Sequence, residues 1–193
     1  MKLLEERILR DGEFKGNDIV RVDSFLNCQM DINLISEIGK EFFRLFGDKE
    51  ITKILTVEAS GIGIACITAT YFKVPVVFAK KTQSENISEE DGLLTAKVRS
   101  FTKKTENIIR VDRRYISPFD RVLLIDDFLA TGEALLGMIE IVRQAGAEVA
   151  GAGICVEKAF QPGGDTVRKM GVDLHSLAII DKDADGNMIF IEK

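Results

Sequence analysis

Residues 122–142 read VLLIDDFLATGEALLGMIEIV: an apolar run ends on two adjacent carboxylates, Asp126 and Asp127, and a helical apolar pattern resumes past Thr131 and Gly132. Paired carboxylates hold a metal, do acid/base chemistry, grip sugar hydroxyls or merely solvate a strand end. The residues next to them narrow the choice. FLATGEA leads into a helix, whose first backbone N–H groups lack intrahelical partners and bind anions, phosphate above all. The small residues Ala130, Thr131 and Gly132 let a phosphate approach closely and add a hydroxyl. Carboxylates for hydroxyls or a magnesium ion, beside such a cradle, describe a sugar-phosphate site, and ribose 5-phosphate fits it.

A second cradle lies in VEASGIGIA, where a strand-like run meets Ser60-Gly61 and then a helix start, so that a second anion has a place beside the first. Other nucleotide motifs are missing. No GxxxxGK[ST] occurs, and neither SGIGIA nor GAGICV completes GxGxxG.

These residues meet only if the chain brings several strand ends together. KILTVEA (53–59), VPVVFAKK (74–81), RVLLID (121–126) and VAGAGICVEK (149–158) are short β-rich runs of nearly continuous hydrophobicity, which suits strands buried on both faces. GIACITATYF and EALLGMIEIVRQAG lie between them at helical spacing. The βαβα alternation implies a parallel sheet flanked by helices, with ligands gathered at the strands' C-terminal ends. Neighbouring strand residues point to opposite faces, so Asp126 and Asp127 share a ligand only where the strand ends and the chain turns across a crevice.

Upstream, LLEERIL has helical spacing until Asp11-Gly12, and residues 14–30 look irregular or briefly extended. INLISEIGKEFFRLFG is an amphipathic helix with Asp31 as N-cap, Gly47 past its end, and a core stripe of Leu34, Ile38, Phe42 and Leu45. Residues 81–120 break the rhythm, being far longer than an ordinary βα connection. This segment is expected to be either an antiparallel ribbon or a mobile flap over the site, and TAKVRSFTK, which alternates like a strand, favours a hairpin.

Composition sets the outer limits. The chain has 193 residues, 46% hydrophobic and 30% charged, which fits one folded domain with its own core. A net charge of −5 offers no global attraction to nucleic acid, and the pairs Lys80/Lys81, Lys103/Lys104 and Arg113/Arg114 lack aromatic interleaving. Three cysteines, Cys28, Cys66 and Cys155, have no zinc-ligand spacing and are expected to be buried, reduced thiols. No apolar stretch approaches a membrane span, and MKLLEERILRDGEF, with no uninterrupted apolar run, is not expected to act as a leader. A cytoplasmic protein without nucleic-acid or membrane partners is expected.

LLIDDFLATGEA resembles the signature of the type I phosphoribosyltransferases, which binds the ribose 5-phosphate part of phosphoribosyl pyrophosphate (PRPP). VDSFLNCQMD, TVEASGI, VPVVFAKK, LLTAKVRSFTKKTE and VRQAGAEVAGAGICVEKAFQPGGD resemble, in order and spacing, the bacterial xanthine-type subgroup of that family. The resemblance spans nearly the whole chain. It implies an α/β fold with a Rossmann-like parallel sheet, a long flexible flap, and a small hood made by both chain ends. The single domain of residues 1–193 would then divide into a core of about 31–158 and a hood of about 1–30 and 159–193.

The same resemblance assigns roles. Ala130, Thr131, Gly132, Glu133 and Ala134 would bind the 5-phosphate, Asp126 and Asp127 the ribose hydroxyls, and Ser60 and Gly61 the pyrophosphate, with Lys81 and Lys80 near the leaving group. Val20, Asn27 and Lys158 match purine-contacting positions. Ala134 departs from the wider signature, where Ser or Thr is common, leaving backbone donors to carry that phosphate contact. The implied reaction converts PRPP and xanthine to xanthosine 5′-monophosphate and pyrophosphate in purine salvage, with Mg2+ carried by PRPP and water near the two acids rather than by direct protein ligands. A homodimer is implied as well. The lysine ammonium of Lys158 donates hydrogen bonds and accepts none, which favours 6-oxopurines over adenine. The rival readings are a guanine or hypoxanthine enzyme, and a non-catalytic PRPP-sensing regulator.

Two features stand apart. DKDADGNMIFIE (181–192) satisfies the calcium-loop pattern D-x-D-x-D-G-x5-E, but it follows the strand-like SLAII, so a β-hairpin turning at Asp-Gly is expected instead. His175 is the only histidine and is expected to be structural or at the surface.

Overall fold

The computed structural model describes residues 1–15, 19–81, 92–100 and 105–192. In chain order the N-terminal elements are α1 (Lys2–Asp11), β1 (Glu13–Lys15), β2 (Ile19–Arg21) and α2 (Ile32–Phe46). Then come β3 (Lys53–Val57), α3 (Gly61–Phe72), β4 (Val76–Ala79), β5 (Leu93–Ser100) and β6 (Thr105–Asp112). β7 (Arg121–Leu129), α4 (Glu133–Ala145), β8 (Glu148–Lys158), α5 (Gly163–Lys169), β9 (Leu174–Lys182) and β10 (Met188–Phe190) complete the chain.

The main sheet has the order β10-β9-β8-β7-β3-β4. Strands β9, β8, β7, β3 and β4 run parallel, and β10 alone is antiparallel, against β9. Alternation along the strands feeds two cores: Leu123 and Ile125 of β7 enter one with α2 and α3, while Val122 and Leu124 enter the other with α4. Each fully buried Leu, Ile or Phe contributes about 1.5–3 kcal/mol. Asp31 caps α2 by accepting from Asn33 and Leu34 N–H at 3.1 and 3.2 Å, as its position predicts. Of the expected stripe, Leu34, Ile38 and Phe42 are buried, and Phe46 takes the innermost place that Leu45 was expected to hold.

Residues 14–30 contain the short pair β1–β2 and one wide helical turn, Asp23–Asn27, whose Phe25 and Leu26 are fully buried. The 81–120 segment contains the antiparallel ribbon β5–β6, paired from Leu93↔Asp112 to Ser100↔Thr105. Its apolar face, with Leu94 and Ile109 fully buried, packs on α4 in the second core. The described part of the ribbon is thus anchored; residues 82–91 and 101–104 of the segment expected to form a flap lie outside the described residues.

Two expectations need correction, and one element was missed. β7 does not stop at Asp126 but runs to Leu129, because pairing with β8 continues to Leu129↔Glu157. Helix α5 was not anticipated, since GGDTVRK opens with two poor helix formers and is only seven residues long. Of the three thiols only Cys155 is buried; Cys28 and Cys66 are exposed, Cys66 standing on α3 one position round from the buried Ala65.

At the C-terminus β9 and β10 form the expected hairpin, with Met188↔Lys182 and Phe190↔Ile180 in register and Gly186 at φ +84° in the turn. His175 is structural: its Nε2 lies 3.1 Å from Asp173 and its ring meets Phe46 edge-on at 5.2 Å. Among the described residues no helix is long and apolar enough to cross a membrane.

Candidate active site

The crevice begins where two strands part. β3 pairs with β7 only from Lys53↔Val122 to Leu55↔Leu124, while β7 keeps its other partner, β8, as far as Leu129. Asp126 and Asp127 stand on this stretch, just past the last β3 contact. That is how neighbouring residues of a continuing strand both reach one crevice. The splayed edge opens toward α3, and the acids need no chain reversal between them.

Asp127 shares its strand face with Leu123 and Ile125, the face covered by the N-terminal turn. There its Oδ2 accepts from Asn27 Nδ2 at 3.1 Å, across 100 residues of sequence. Asp126 lies against the start of α3: a methyl placed on Gly61 would come within 3.2 Å of its Oδ1 and would collide with the Thr56 hydroxyl. A glycine is required there for so close an approach. The Thr56 hydroxyl is itself buried, with no hydrogen-bond partner among the described residues.

Both carboxylates are nearly excluded from water, at 5% and 8% exposure, and among the described residues neither has an ion-pair partner. Burial, and then the neighbouring Asp127 charge, push the Asp126 carboxyl well above the usual range, against a smaller pull from Lys81. Behind them Cys155 is fully buried, and burial together with both acids pushes its thiol up, so it remains neutral. Such a pair lacks positive charge and hydroxyl donors, the two things that a metal-bound phosphorylated sugar supplies.

After Leu129 the chain turns through Ala130 and Thr131 to Gly132, which at φ +88° precedes the first residue of α4. Glu133 and Ala134 form the first turn of that helix, whose amides face the crevice end of the sheet. At the expected second cradle the turn runs into a helix, with Ser60 before Gly61, the first residue of α3; Glu58-Ala59 is a cis peptide. Glu58 was not anticipated: its carboxylate accepts from the Lys81 backbone N–H and ties the two loops together.

The adjacent lysines separate. Lys81 is exposed and its charge acts on Asp126. Lys80 joins Arg110 in a β-bridge, lies 6.0 Å from the Phe78 ring, and lines a separate groove of about 650 Å3 with Arg114 and Tyr115. Of the purine candidates, Asn27 touches Asp127, Val20 is buried at 6% in β2, and Lys158 ends β8 with its Nζ 5.5 Å from the Phe128 ring. Phe128, next to Asp127, is the ring over which that ammonium lies.

The phosphoribosyl transferase domain profile matches residues 22–182. The chain is 58% identical to xanthine phosphoribosyltransferase of Lachnoclostridium phytofermentans, with 98% of each chain covered. It is 55% identical to that of Ruminiclostridium cellulolyticum, with 100% of each covered. Among solved structures, adenine phosphoribosyltransferase of Giardia lamblia complexed with 9-deazaadenine superposes with a TM-score of 0.76 at 22% identity, over 93% of this chain and 98% of that one. The Trypanosoma brucei adenine enzyme gives 0.74 at 19%, over 92% and 79%. At such identities the structural likeness speaks for the fold alone, whereas the curated relatives align from end to end. By profile and by these relatives, the chain belongs to the phosphoribosyltransferase family.

Proposed function

We propose that the chain transfers the 5-phosphoribosyl group of PRPP to xanthine, yielding xanthosine 5′-monophosphate and pyrophosphate in purine salvage. The observation that carries this is the Asn27–Asp127 hydrogen bond, which joins the purine candidate segment to the acid proposed to hold the ribose. The curated relatives bearing the xanthine phosphoribosyltransferase name favour xanthine as the acceptor.

Each group has a task set by its chemistry. The amides of Ala130 to Ala134 receive the 5-phosphate, and those at Ser60 and Gly61 receive the pyrophosphate. Asp126 and Asp127 accept hydrogen bonds from the ribose hydroxyls. Asp127, oriented by Asn27, stabilises positive charge that grows on the sugar as pyrophosphate departs. Lys81 adds positive charge near the leaving group, a task for which Lys80 is turned the wrong way. Lys158 donates to a purine carbonyl oxygen and selects an oxopurine.

Mg2+ fits this donor set in one manner only. Among the described residues no three His, Cys, Asp or Glu side chains cluster to cage a metal, but two carboxylates suit an ion that keeps its waters and the phosphates of its substrate. When bound, it neutralises charge on the pyrophosphate. We place the enzyme in the cytoplasm, where exposed Cys28 and Cys66 stay reduced, with a hood of about 1–30 and 159–193 over a core of about 31–158. A homodimer is proposed too, supported by the exposed Phe78 and Tyr115 along the groove beside edge strand β4.

The test is a panel of xanthine, guanine, hypoxanthine and adenine with PRPP and magnesium, read as initial rates. Xanthine should be the preferred acceptor. Turnover of adenine alone, or tight PRPP binding without turnover of any purine, overturns the proposal.

A further inference from the structure

Beyond the acids and the turn, Glu157 is a buried charge with no place in the proposed chemistry. Glu157, on β8, is fully buried, and its two carboxylate oxygens accept from Arg168 Nη1 and Nη2 at 2.7 Å each. Ser176 Oγ of β9 donates to the same carboxylate at 2.5 Å. Arg168 belongs to α5, and the other end of that helix touches the turn before α4. Gly163 N–H donates to Ala130 C=O at 3.0 Å. The contact is backbone against backbone: a methyl on Gly163 would lie 2.5 Å from Ala130 O, 2.6 Å from Gly132 N and 2.8 Å from Thr131 C.

We propose that α5 is a brace for the 5-phosphate turn, with Gly163, Arg168 and Glu157 as positioning residues for PRPP binding. This rests on the reading of Ala130 to Ala134 as the phosphate cradle. A cradle of backbone amides binds an anion well only when the amides are held in place beforehand, since ordering a loose turn opposes binding. Seven residues opening on Gly163-Gly164 do not hold a helix by themselves. The forked Arg168–Glu157 pair does, because two parallel hydrogen bonds fix orientation as well as distance.

The anchor is also well placed. Glu157 pairs across the sheet with Leu129, the residue just before Ala130. One rung of the β7–β8 ladder therefore launches the turn and holds the helix that braces it, closing a circuit from Leu129 through Ala130, Gly163, Arg168 and Glu157. Gly164 completes the fit, since any side chain there would collide with the Glu157 carboxylate. A buried ion pair adds little stability over an apolar contact, so a geometric task accounts for it better than a stabilising one.

Gly163→Ala and Arg168→Lys separate this role from simple folding, with Gly171→Ala as the reference. Gly171, just past the same helix, has φ +79° and open space around it, so alanine there strains the fold without touching the turn. Steady-state kinetics with PRPP and xanthine varied separately, melting temperature, and calorimetric binding of ribose 5-phosphate are measured for each. Gly163→Ala should raise KM for PRPP about tenfold or more and weaken ribose 5-phosphate binding in parallel, with KM for xanthine changed less than about twofold. Arg168→Lys, which loses the fork, should raise KM for PRPP about threefold. Gly171→Ala should lower only the melting temperature. An unchanged KM for PRPP in Arg168→Lys overturns the brace, even if Gly163→Ala fails to fold. Should the wild-type chain turn over no purine, ribose 5-phosphate binding still decides: binding by wild type that Arg168→Lys weakens supports the brace, and no binding by wild type overturns it.

Discussion

Two acidic segments follow apolar strand residues in this molecule, and they resolve their charge in opposite ways. Asp126 and Asp127 are nearly buried, and burial holds the Asp126 carboxyl far above its ordinary range. In the 181–192 loop, Asp183 Oδ1 accepts from Asp185 and Asn187 N–H at 2.9 and 2.8 Å, and Oδ2 from Asn187 Nδ2 at 3.1 Å. Those bonds, the Asn187 side chain foremost, hold the Asp183 carboxyl below its ordinary range. The loop satisfies its own acid with its own turn. Among the described residues the crevice gives its two acids only the Asn27 amide and one backbone N–H, and the carboxylate oxygens left over are an invitation to a ligand. Conformity to a calcium-loop pattern thus weighs less than whether the surrounding backbone has already used the oxygens.

The largest effect is expected at Asp127. Asp127→Asn keeps the shape and removes the charge, and kcat with PRPP and xanthine should fall about a hundredfold or more while the melting temperature hardly moves. Undiminished turnover would place the crevice acids with the loop acids, as mere solvation of a strand end. Next comes Asn27→Ala, which deletes the bond to Asp127. A hydrogen bond to a charged group contributes about 1.5–3 kcal/mol. The corresponding loss in kcat/KM for xanthine is about tenfold to a hundredfold, measured against an unchanged KM for PRPP.

The two segments also mark how much of the molecule is legible in its sequence. The placement of the acids near a strand end, the Thr-Gly turn and the helix start at Ser60-Gly61 were legible because each depends on residue types at neighbouring positions. The Asp183 hairpin was legible for the same reason, through Asp-Gly and the alternating return strand. The end of β7 was not, because it is set by where β3 departs after Leu124, and Phe128 and Leu129 continue to pair with β8. The Asn27–Asp127 link spans 100 residues, and no local pattern records it. Lys80 and Lys81 look interchangeable as a pair of cations, yet extended backbone must turn them apart, which alternation alone could have revealed. Helix α5 has too few residues and too much glycine to show a period, so the Glu157–Arg168 pair stayed hidden with it.

A third, smaller effect concerns pH. Because the folded Asp126 carboxyl lies above its unfolded value, the folded state holds the extra proton between the two values. Its contribution to stability is therefore full below the unfolded value and is lost as pH rises through the folded one. Asp126→Asn keeps an oxygen to accept from Asp127 N–H, a bond of 3.0 Å in the wild type, and has no proton to lose. The variant should therefore melt higher than wild type at neutral pH, by about 2–4 °C for each kcal/mol relieved, and the advantage should vanish in acid. A variant that melts lower at neutral pH would mean that the crevice already satisfies this charge.

The smallest effect belongs to Asp183→Ala, and it carries the opposite sign. A folded carboxyl held below its unfolded value contributes stability above the unfolded value and loses it as pH falls through the folded one. Removing it should cost a little melting temperature at neutral pH and nothing in strong acid, the reverse of Asp126→Asn. Turnover should be unaffected, since the hairpin lies outside the crevice. Calcium should leave the melting temperature of both wild type and variant where it was, because both Asp183 oxygens already accept hydrogen bonds from the turn, with which the ion would have to compete. Calorimetry showing micromolar calcium binding that Asp183→Ala abolishes would make the 181–192 loop a second ligand site, and self-satisfaction of its acids would no longer distinguish it from the crevice.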